Sequence, residues 1–393
     1  MNTYYNPVKT ICGSNSCEEI KNIIAEDEYK RILLIVWKEA ILEMDSFKSI
    51  MNDKNKNTKA ICFNESNPTV EQLFEVYKNT NDFSPDMVIA VGGGSVMDVG
   101  KSLCCLYGKK IADCNELRNI ISSGNYKKPE SKWIGVPTTS GTGSEVTCWA
   151  TIWDPAMGVK RSVESRANYA LAAIVDSVLT KDMPLTLAVS SALDAVAHAV
   201  ESYWAKASNV VSKALALGAI RMIMQHMDEL LEGKNNARKY MAQGSMMAGL
   251  AFSNTKTTAC HSISYPLTMH YNIPHGTAVS MLLAPVMKLN MKYIENLNLL
   301  FDALGVKNCD ELSDRIKDIL NKADIPSSLK EWNVDYEKFS FLASQGITKG
   351  RTDNNPAPID EKTIEKILGQ IWNASTQSKS NSKTLVECVS SGG

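Results

Sequence analysis

The sequence predicts an α/β N-terminal domain, doubly wound on a parallel sheet, joined to an all-α C-terminal domain, and three observations carry that prediction. Short apolar runs alternate with longer helical patterns through residues 1–183, as a parallel sheet with crossover helices requires. One of those runs, Met87–Val91, empties directly into Gly92-Gly93-Gly94-Ser95. After Met183-Pro184 the composition changes to Ala- and Met-rich helical segments such as Ala242–Phe252, with no convincing strand pair. A length of 393 residues suits two domains, here 1–183 and 184–393, each able to bury its own core.

In chain order, Ile32–Val36 reads as a buried strand and Ala60–Phe63 as the next. The turn Asn67-Pro68-Thr69 then feeds a helix whose apolar positions Val70, Leu73, Phe74 and Tyr77 recur at helical spacing. Met87–Val91, the glycine turn and the helical pattern Val96–Leu106 form a strand, turn and helix. Glycines let the backbone approach a phosphate without a Cβ in the way, and the first helical amides direct unpaired N–H groups at the anion. A P-loop ending at Gly100-Lys101-Ser102 would need glycine where Ser95 stands, and a G-x-G-x-x-G fingerprint from Gly92 would need it at Met97. A glycine triplet can also be a plain structural turn, but its place straight after an apolar strand favours the phosphate reading. A further strand, Trp133–Val136, runs into the hydroxyl-rich loop Pro137–Glu145, which in a doubly wound sheet gathers at the ligand-binding carboxyl edge. Lys160 and Arg161 precede the strand Ala173–Val175, which ends at Asp176. The tail from about residue 373, rich in Ser, Asn and Lys, is expected to be mobile.

The chemistry concentrates elsewhere. Asp194 and His198 are four residues apart, so on a helix they share one face and can turn toward a common point. His261 and His275 would complete an Asp/His/His/His donor set suited to a divalent first-row ion such as iron(II) or zinc(II). An Asp and a His on an Ala-rich helix can equally be a surface pair. Against that, the chain has five His, and three of them fall in segments dense in Ala, Ser, Gly and Thr.

Composition narrows the classes. A hydrophobic fraction of 44%, a charged fraction of 22% and a net charge of −1 describe a globular protein with no electrostatic pull toward nucleic acid or membrane. The ten Cys contain no C-x-x-C pair, so neither a zinc knuckle nor a disulfide framework is indicated, and reduced thiols imply a cytoplasmic address. No stretch approaches the ~20 apolar residues of a membrane span, and the N-terminus lacks the pattern of a signal peptide.

With Gly92-Gly-Gly-Ser-Val-Met-Asp98-Val-Gly-Lys101, Pro137-Thr-Thr-Ser-Gly-Thr-Gly-Ser-Glu145, Asp194-x-x-x-His198-x-x-Glu201-x-Tyr203 and His261…Pro274-His275-Gly276 in that order, the chain resembles the iron-containing (group III) alcohol dehydrogenases over residues 5–370. That resemblance implies Fe(II), or Zn(II), on Asp194, His198, His261 and His275, and an NAD(P)H cofactor. It places the pyrophosphate on Gly93, Gly94 and Ser95 within a motif that includes Asp98, and the adenosine side on Thr138 and Thr139, with Asn67 and Lys160 as further contacts. It also implies a homodimer or larger homo-oligomer acting on a small aldehyde or alcohol. The metal would polarise the carbonyl oxygen while the nicotinamide delivers hydride.

Two departures stand out. Tyr265 occupies the position where many members carry a second histidine four residues after the third ligand, and a phenol there could donate a proton in its place or serve as a buried structural ring. Trp37-Lys38 follows the strand where NAD-preferring relatives carry an aspartate, which permits NADPH, with Lys38 attracting its 2′-phosphate. The segment Lys256–Thr268 looks most like the phosphonoacetaldehyde reductase branch, and Lys256 beside the metal would suit an aldehyde bearing an anion. The alternatives are a general short-chain alcohol dehydrogenase for butanol or a 1,2-diol, a dehydroquinate synthase-like lyase, and an inactive nucleotide-binding protein.

Overall fold

A computed structural model describes residues 3–26, 28–126 and 128–373. Strands β1 (Lys9–Cys12), β2 (Arg31–Val36), β3 (Asn57–Cys62), β4 (Met87–Gly92), β5 (Lys132–Pro137) and β8 (Ala172–Val175) form one six-stranded sheet in the order β1-β8-β5-β4-β2-β3. Every pairing in it is parallel. Helices α1 (Ile20–Glu26), α2 (Asp45–Met51), α3 (Val70–Thr80), α4 (Gly94–Leu106) and α5 (Cys114–Ser123) supply the crossovers. Both faces of the sheet are covered, which is why its inner strands β2, β4, β5 and β8 read as continuous apolar runs rather than alternating ones. Leu33, Ile35, Val88 and Ala90 pack with Leu73 and Leu103 on one face, while Ile32, Leu34, Ile89 and Val91 pack with Ile20, Ile23 and Phe47 on the other.

The chain leaves β2 toward β3 on one side and returns with β4 on the other, so the strand order reverses between β2 and β4. A crevice opens at the carboxyl ends of strands at such a switch point. Trp37-Lys38 after β2 and Gly92–Ser95 after β4 stand at its two lips, and the Trp37 amide donates to Val91 O at 3.0 Å.

Two features escaped the sequence reading. The edge strand β1 is too short and too exposed to carry an apolar signature. The antiparallel hairpin β6 (Trp149–Asp154) and β7 (Val159–Glu164) lies outside the main sheet; its buried Ala150, Ile152 and Asp154 alternate with half-buried Trp149, Thr151 and Trp153, and Gly158 takes the left-handed turn at φ 62°.

From Leu185 onward the regular structure of the described residues is helical: α6 (Leu185–Trp204), α7 (Val210–Gln225), α8 (Met227–Leu231), α9 (Asn235–Thr255), α10 (Ala259–Tyr271), α11 (His275–Asn290), α12 (Leu297–Leu304), α13 (Cys309–Lys322), α14 (Phe339–Gln345) and α15 (Glu361–Trp372). Their core is centred on α6, whose Ala188, Ala192, Ala195, Ala197 and Ala199 let neighbouring helices approach on several sides. The two halves meet where Val146, Ala173 and Val175 pack against Ala242 and Met246. At that seam a Cβ on Gly143 would lie 2.5 Å from Gly249 Cα, so both glycines are needed for the approach. Cysteines of the described residues are free, and none of the described helices is long and apolar enough to cross a membrane. The tail beyond Asn373, expected to be mobile, lies outside the described residues.

Candidate metal centre and nucleotide cradle

Helix α6 organises the centre by capping two other helices. Ser190 Oγ accepts from the Thr277 amide at 3.1 Å in the first turn of α11, and Glu201 accepts from the Thr258 and Cys260 amides at 3.1 and 2.6 Å at the start of α10. Side chains of α6 thus satisfy N-terminal amides that neither helix caps with its own preceding residue. His261 and His275 sit in those two first turns, so the caps deliver both imidazoles to Asp194, which lies between Ser190 and Glu201 on α6. Gly276 completes the fit: a Cβ there would stand 1.9 Å from Ser190 O and 2.9 Å from Asp194 Cβ.

The resulting cluster is tight. One ligand atom from each of Asp194, His261 and His275 lies within 4.8 Å of the others. His261 Nε2 and His275 Nε2 are 3.5 and 3.9 Å from Asp194 Oδ1. His198 stands beside this trio rather than within it, its Nδ1 3.8 Å from Asp194 Oδ2 and its ring stacked on Phe252 at 4.3 Å and 12°. Asp194 Oδ1, His198 Nδ1 and His261 Nε2 are buried and have no hydrogen-bond partner. Stranding three such atoms is costly unless a cation receives them, so the donors fit a divalent ion.

The electrostatics agree. Burial alone would raise the Asp194 carboxyl, but the surrounding imidazoles, His198 foremost, hold it well below the usual carboxylate range. Burial pushes His198 and His275 down to about 4 and about 3, leaving both rings neutral with lone pairs to offer. His261 goes the other way: burial opposes its proton, yet Glu201, whose Oε2 is 2.5 Å from Nδ1, raises it. A carboxylate fixing the outer nitrogen of an imidazole sets its tautomer and frees the inner nitrogen for a metal. Glu201 went unassigned in the sequence, although seven residues after Asp194 and three after His198 it occupies the same helix face.

The glycine turn and the hydroxyl loop pack together as a candidate nucleotide cradle. A Cβ on Gly93 would lie 3.4 Å from Thr139 and one on Gly94 2.9 Å from Thr142, and the Thr138 amide donates to Gly92 O at 3.0 Å. Ser95 Oγ accepts from the Asn67 amide at 3.1 Å, which brings Asn67 to the same turn. Asp98 is tied down by the Thr151 amide at 3.0 Å and Ser144 Oγ at 3.1 Å, and burial raises its carboxyl. Lys38 lies at the carboxyl end of β2 with its amine 4.6 Å from the Trp37 ring.

Lys256, Lys160 and Tyr265, the remaining polar residues of the expected site, are placed by the tertiary fold. Lys256 is half-exposed and forms an ion pair with Glu164 at 3.0 Å, so its charge is already answered. Lys160, expected with the adenosine-side contacts, is carried by the hairpin to the junction of the halves, where its amine lies 3.7 Å from the centroid of the Tyr265 ring. Tyr265 stacks parallel to His275 at 5.7 Å. Arg351, from the irregular segment before α15, reaches the same ring at 5.0 Å and bonds Thr257 Oγ1. Nothing in the sequence marks Arg351, because loop residues far apart in the chain carry no periodicity. Surface depressions lined by His226 and Tyr240, and by Tyr77 and Glu116, contain none of these residues.

Models of known families decide the assignment: iron-containing alcohol dehydrogenase matches residues 7–177, and the Fe-containing alcohol dehydrogenase family C-terminal region matches residues 188–372. The chain belongs to the iron-containing alcohol dehydrogenase family. This dehydrogenase is an oxidoreductase acting on CH–OH groups. It is 28% identical to an NADPH-dependent butanol dehydrogenase of Clostridium saccharobutylicum over 374 residues, covering 92% of this chain and 95% of that one. It is also 28% identical to a 1,3-propanediol dehydrogenase of Citrobacter freundii, covering 87% and 92%. Among solved structures it superimposes on sulfoacetaldehyde reductase from Bifidobacterium kashiwanohense in complex with NAD+, with TM-score 0.86, 25% identity, and coverage of 95% of this dehydrogenase and 100% of the other.

Proposed function

We propose that this dehydrogenase reduces a small aldehyde at the junction of its two halves, with Asp194, His198, His261 and His275 holding the metal and the Gly93–Ser95 turn holding the dinucleotide. The observation that carries the reading is the set of unpartnered buried donors of Asp194, His198 and His261, met by His275 from α11, beside a cradle that glycines leave open. When bound, Fe(II) or Zn(II) supplies Lewis acidity at a carbonyl oxygen and NAD(P)H supplies hydride. The protein's own part is positional. Glu201 orients His261, Ser190 and Gly276 seat His275, and neutral His198 and His275 keep lone pairs available. Tyr265, with its hydroxyl held protonated chiefly by burial, is a donor beside His275 in the position of the missing second histidine.

Phosphonoacetaldehyde, giving 2-hydroxyethylphosphonate, is the substrate this reading favours. A general short-chain alcohol dehydrogenase is the second reading, supported by the butanol and propanediol activities in the names of two relatives. Assembly as a homodimer or larger and residence in the cytoplasm belong to the same proposal. Metal analysis of the purified protein, together with NAD(P)H absorbance after addition of phosphonoacetaldehyde or butanal, tests it. A protein that carries no metal and oxidises neither cofactor would refute the reading.

A further inference from the structure

Two cations meet one aromatic ring next to the metal cluster, and among the described residues neither forms an ion pair with a carboxylate. Lys160 Nζ lies 3.7 Å from the Tyr265 centroid and 4.7 Å from the Trp153 centroid, and Arg351 Cζ lies 5.0 Å from the same Tyr265 ring. Asp98 and Asp194 favour the Lys160 charge from beyond pairing distance, whereas Arg351 opposes it. Although Lys160 is exposed by surface area, the protein around its amine disfavours the charge, and solvent access at the junction moderates that effect. Like charges brought together without a counter-ion are a cost that an anionic ligand removes. The aromatic faces of Trp153 and Tyr265 hold the ammonium in place, and the guanidinium adds a planar fork matched to oxyanions.

We infer that Lys160 and Arg351, set around Tyr265, form the subsite for a tetrahedral oxyanion head, phosphonate or sulfonate, on a short aldehyde whose carbonyl faces the Asp194–His261–His275 cluster. The inference rests on the aldehyde-reductase reading above and makes these two residues, rather than Lys256, determinants of specificity. Parallel stacking of Tyr265 on His275 sets the subsite one ring away from the metal ligands, a separation that suits a short linker between anion and carbonyl. Lys256, by contrast, is half-exposed and already paired with Glu164 at 3.0 Å.

The test compares the metal-loaded enzyme with Lys160→Met, Arg351→Gln and the conservative Arg351→Lys. Specificity constants are measured for phosphonoacetaldehyde, sulfoacetaldehyde and butanal, with cofactor KM alongside, and binding of unreactive ethylphosphonate and ethanesulfonate is titrated calorimetrically. The ratio of anionic aldehyde to butanal should fall about tenfold to a hundredfold in Lys160→Met and Arg351→Gln, the size of a lost charge-assisted hydrogen bond, and recover partly in Arg351→Lys. Binding of the unreactive anions should weaken in parallel, and comparing the two anions separates a phosphonate substrate from a sulfonate one. A uniform loss across all aldehydes, or a raised cofactor KM with an unchanged ratio, overturns the subsite. If the wild type reduces butanal but neither prefers nor binds the anions, the subsite falls and the reductase stands. If it reduces no aldehyde, the reductase reading falls, and weaker anion binding by the variants still supports the subsite.

Discussion

Glu201 Oε2 lies 2.5 Å from His261 Nδ1, and the same carboxylate accepts from the Thr258 hydroxyl and from the Thr258 and Cys260 amides. One buried side chain therefore anchors the start of α10 and aims the imidazole that follows it. Glu201→Gln keeps the size and shape but loses the charge. Metal retention after dialysis, measured by elemental analysis, should fall about tenfold to a hundredfold, the usual effect of removing a ligand's orienting partner. Unchanged metal content would show that His261 needs no such orientation.

The same pair sets a pH dependence in the metal-free protein. Burial opposes the Glu201 charge, but His261 and the hydrogen bonds hold its carboxyl down to about 2, from 4.5 when free. Its contribution to stability is therefore fully present above pH 4.5 and is lost as pH falls toward about 2. His261 is raised from 6.5, so its contribution is present below that value and is lost as pH rises through its folded pKa. Urea midpoints of apo-protein across this range should decline on the acid side, and Glu201→Gln should make that decline shallower. An identical acid limb in wild type and variant would refute the assignment.

Gly276 tests the packing of α11 on α6. Because an added Cβ would stand 1.9 Å from a backbone oxygen, Gly276→Ala must push the first turn of α11 away and carry His275 with it. A destabilisation of about 1–3 kcal/mol is expected in denaturant unfolding, accompanied by loss of metal. Full metal occupancy at wild-type stability would mean that the helices have more slack than this contact allows.

Removal of the ion should abolish activity, and the metal-free protein should melt at a lower temperature, because binding to the folded state alone contributes stability. Re-addition of Fe(II) or Zn(II) should restore both. His275→Ala should lower kcat/KM on the order of a hundredfold or more, consistent with several kcal/mol of lost Lewis-acid stabilisation. A variant that retains both metal and rate would remove His275 from the ligand set.

Lys38 at the lip of the switch-point crevice predicts acceptance of NADPH. Lys38→Asp should shift the ratio of kcat/KM for NADPH over NADH toward NADH by about tenfold, equivalent to roughly 1.4 kcal/mol. Adding salt should narrow the wild-type preference, since the attraction to a 2′-phosphate at this half-exposed site is screened. A ratio indifferent to the substitution would place the discriminating contact elsewhere.

Features repeated along a few turns or strands were legible without the fold. Buried strands β2, β4, β5 and β8 declared themselves as apolar runs because both faces of their sheet are covered, and Asp194 and His198 declared a shared helix face by spacing. Strand β6 of the hairpin also alternates, but its half-buried tryptophans obscured the pattern, β7 has no alternation to read, and the hairpin went unread.

What the sequence by itself determined, then, is local: which stretches are strand or helix, where glycines open the backbone straight after a strand, and which four side chains have metal-donor chemistry. What only the tertiary structure decided is juxtaposition. It brought the starts of α10 and α11 to caps on α6, revealed Glu201 as the partner of His261, engaged Lys256 with Glu164, and set Lys160 and Arg351 around Tyr265. The reason is physical: helical and strand periods are imposed by each residue's own backbone and neighbours, whereas contacts across the chain depend on how whole elements pack. A lysine or arginine in a loop has no spacing from which its destination can be read.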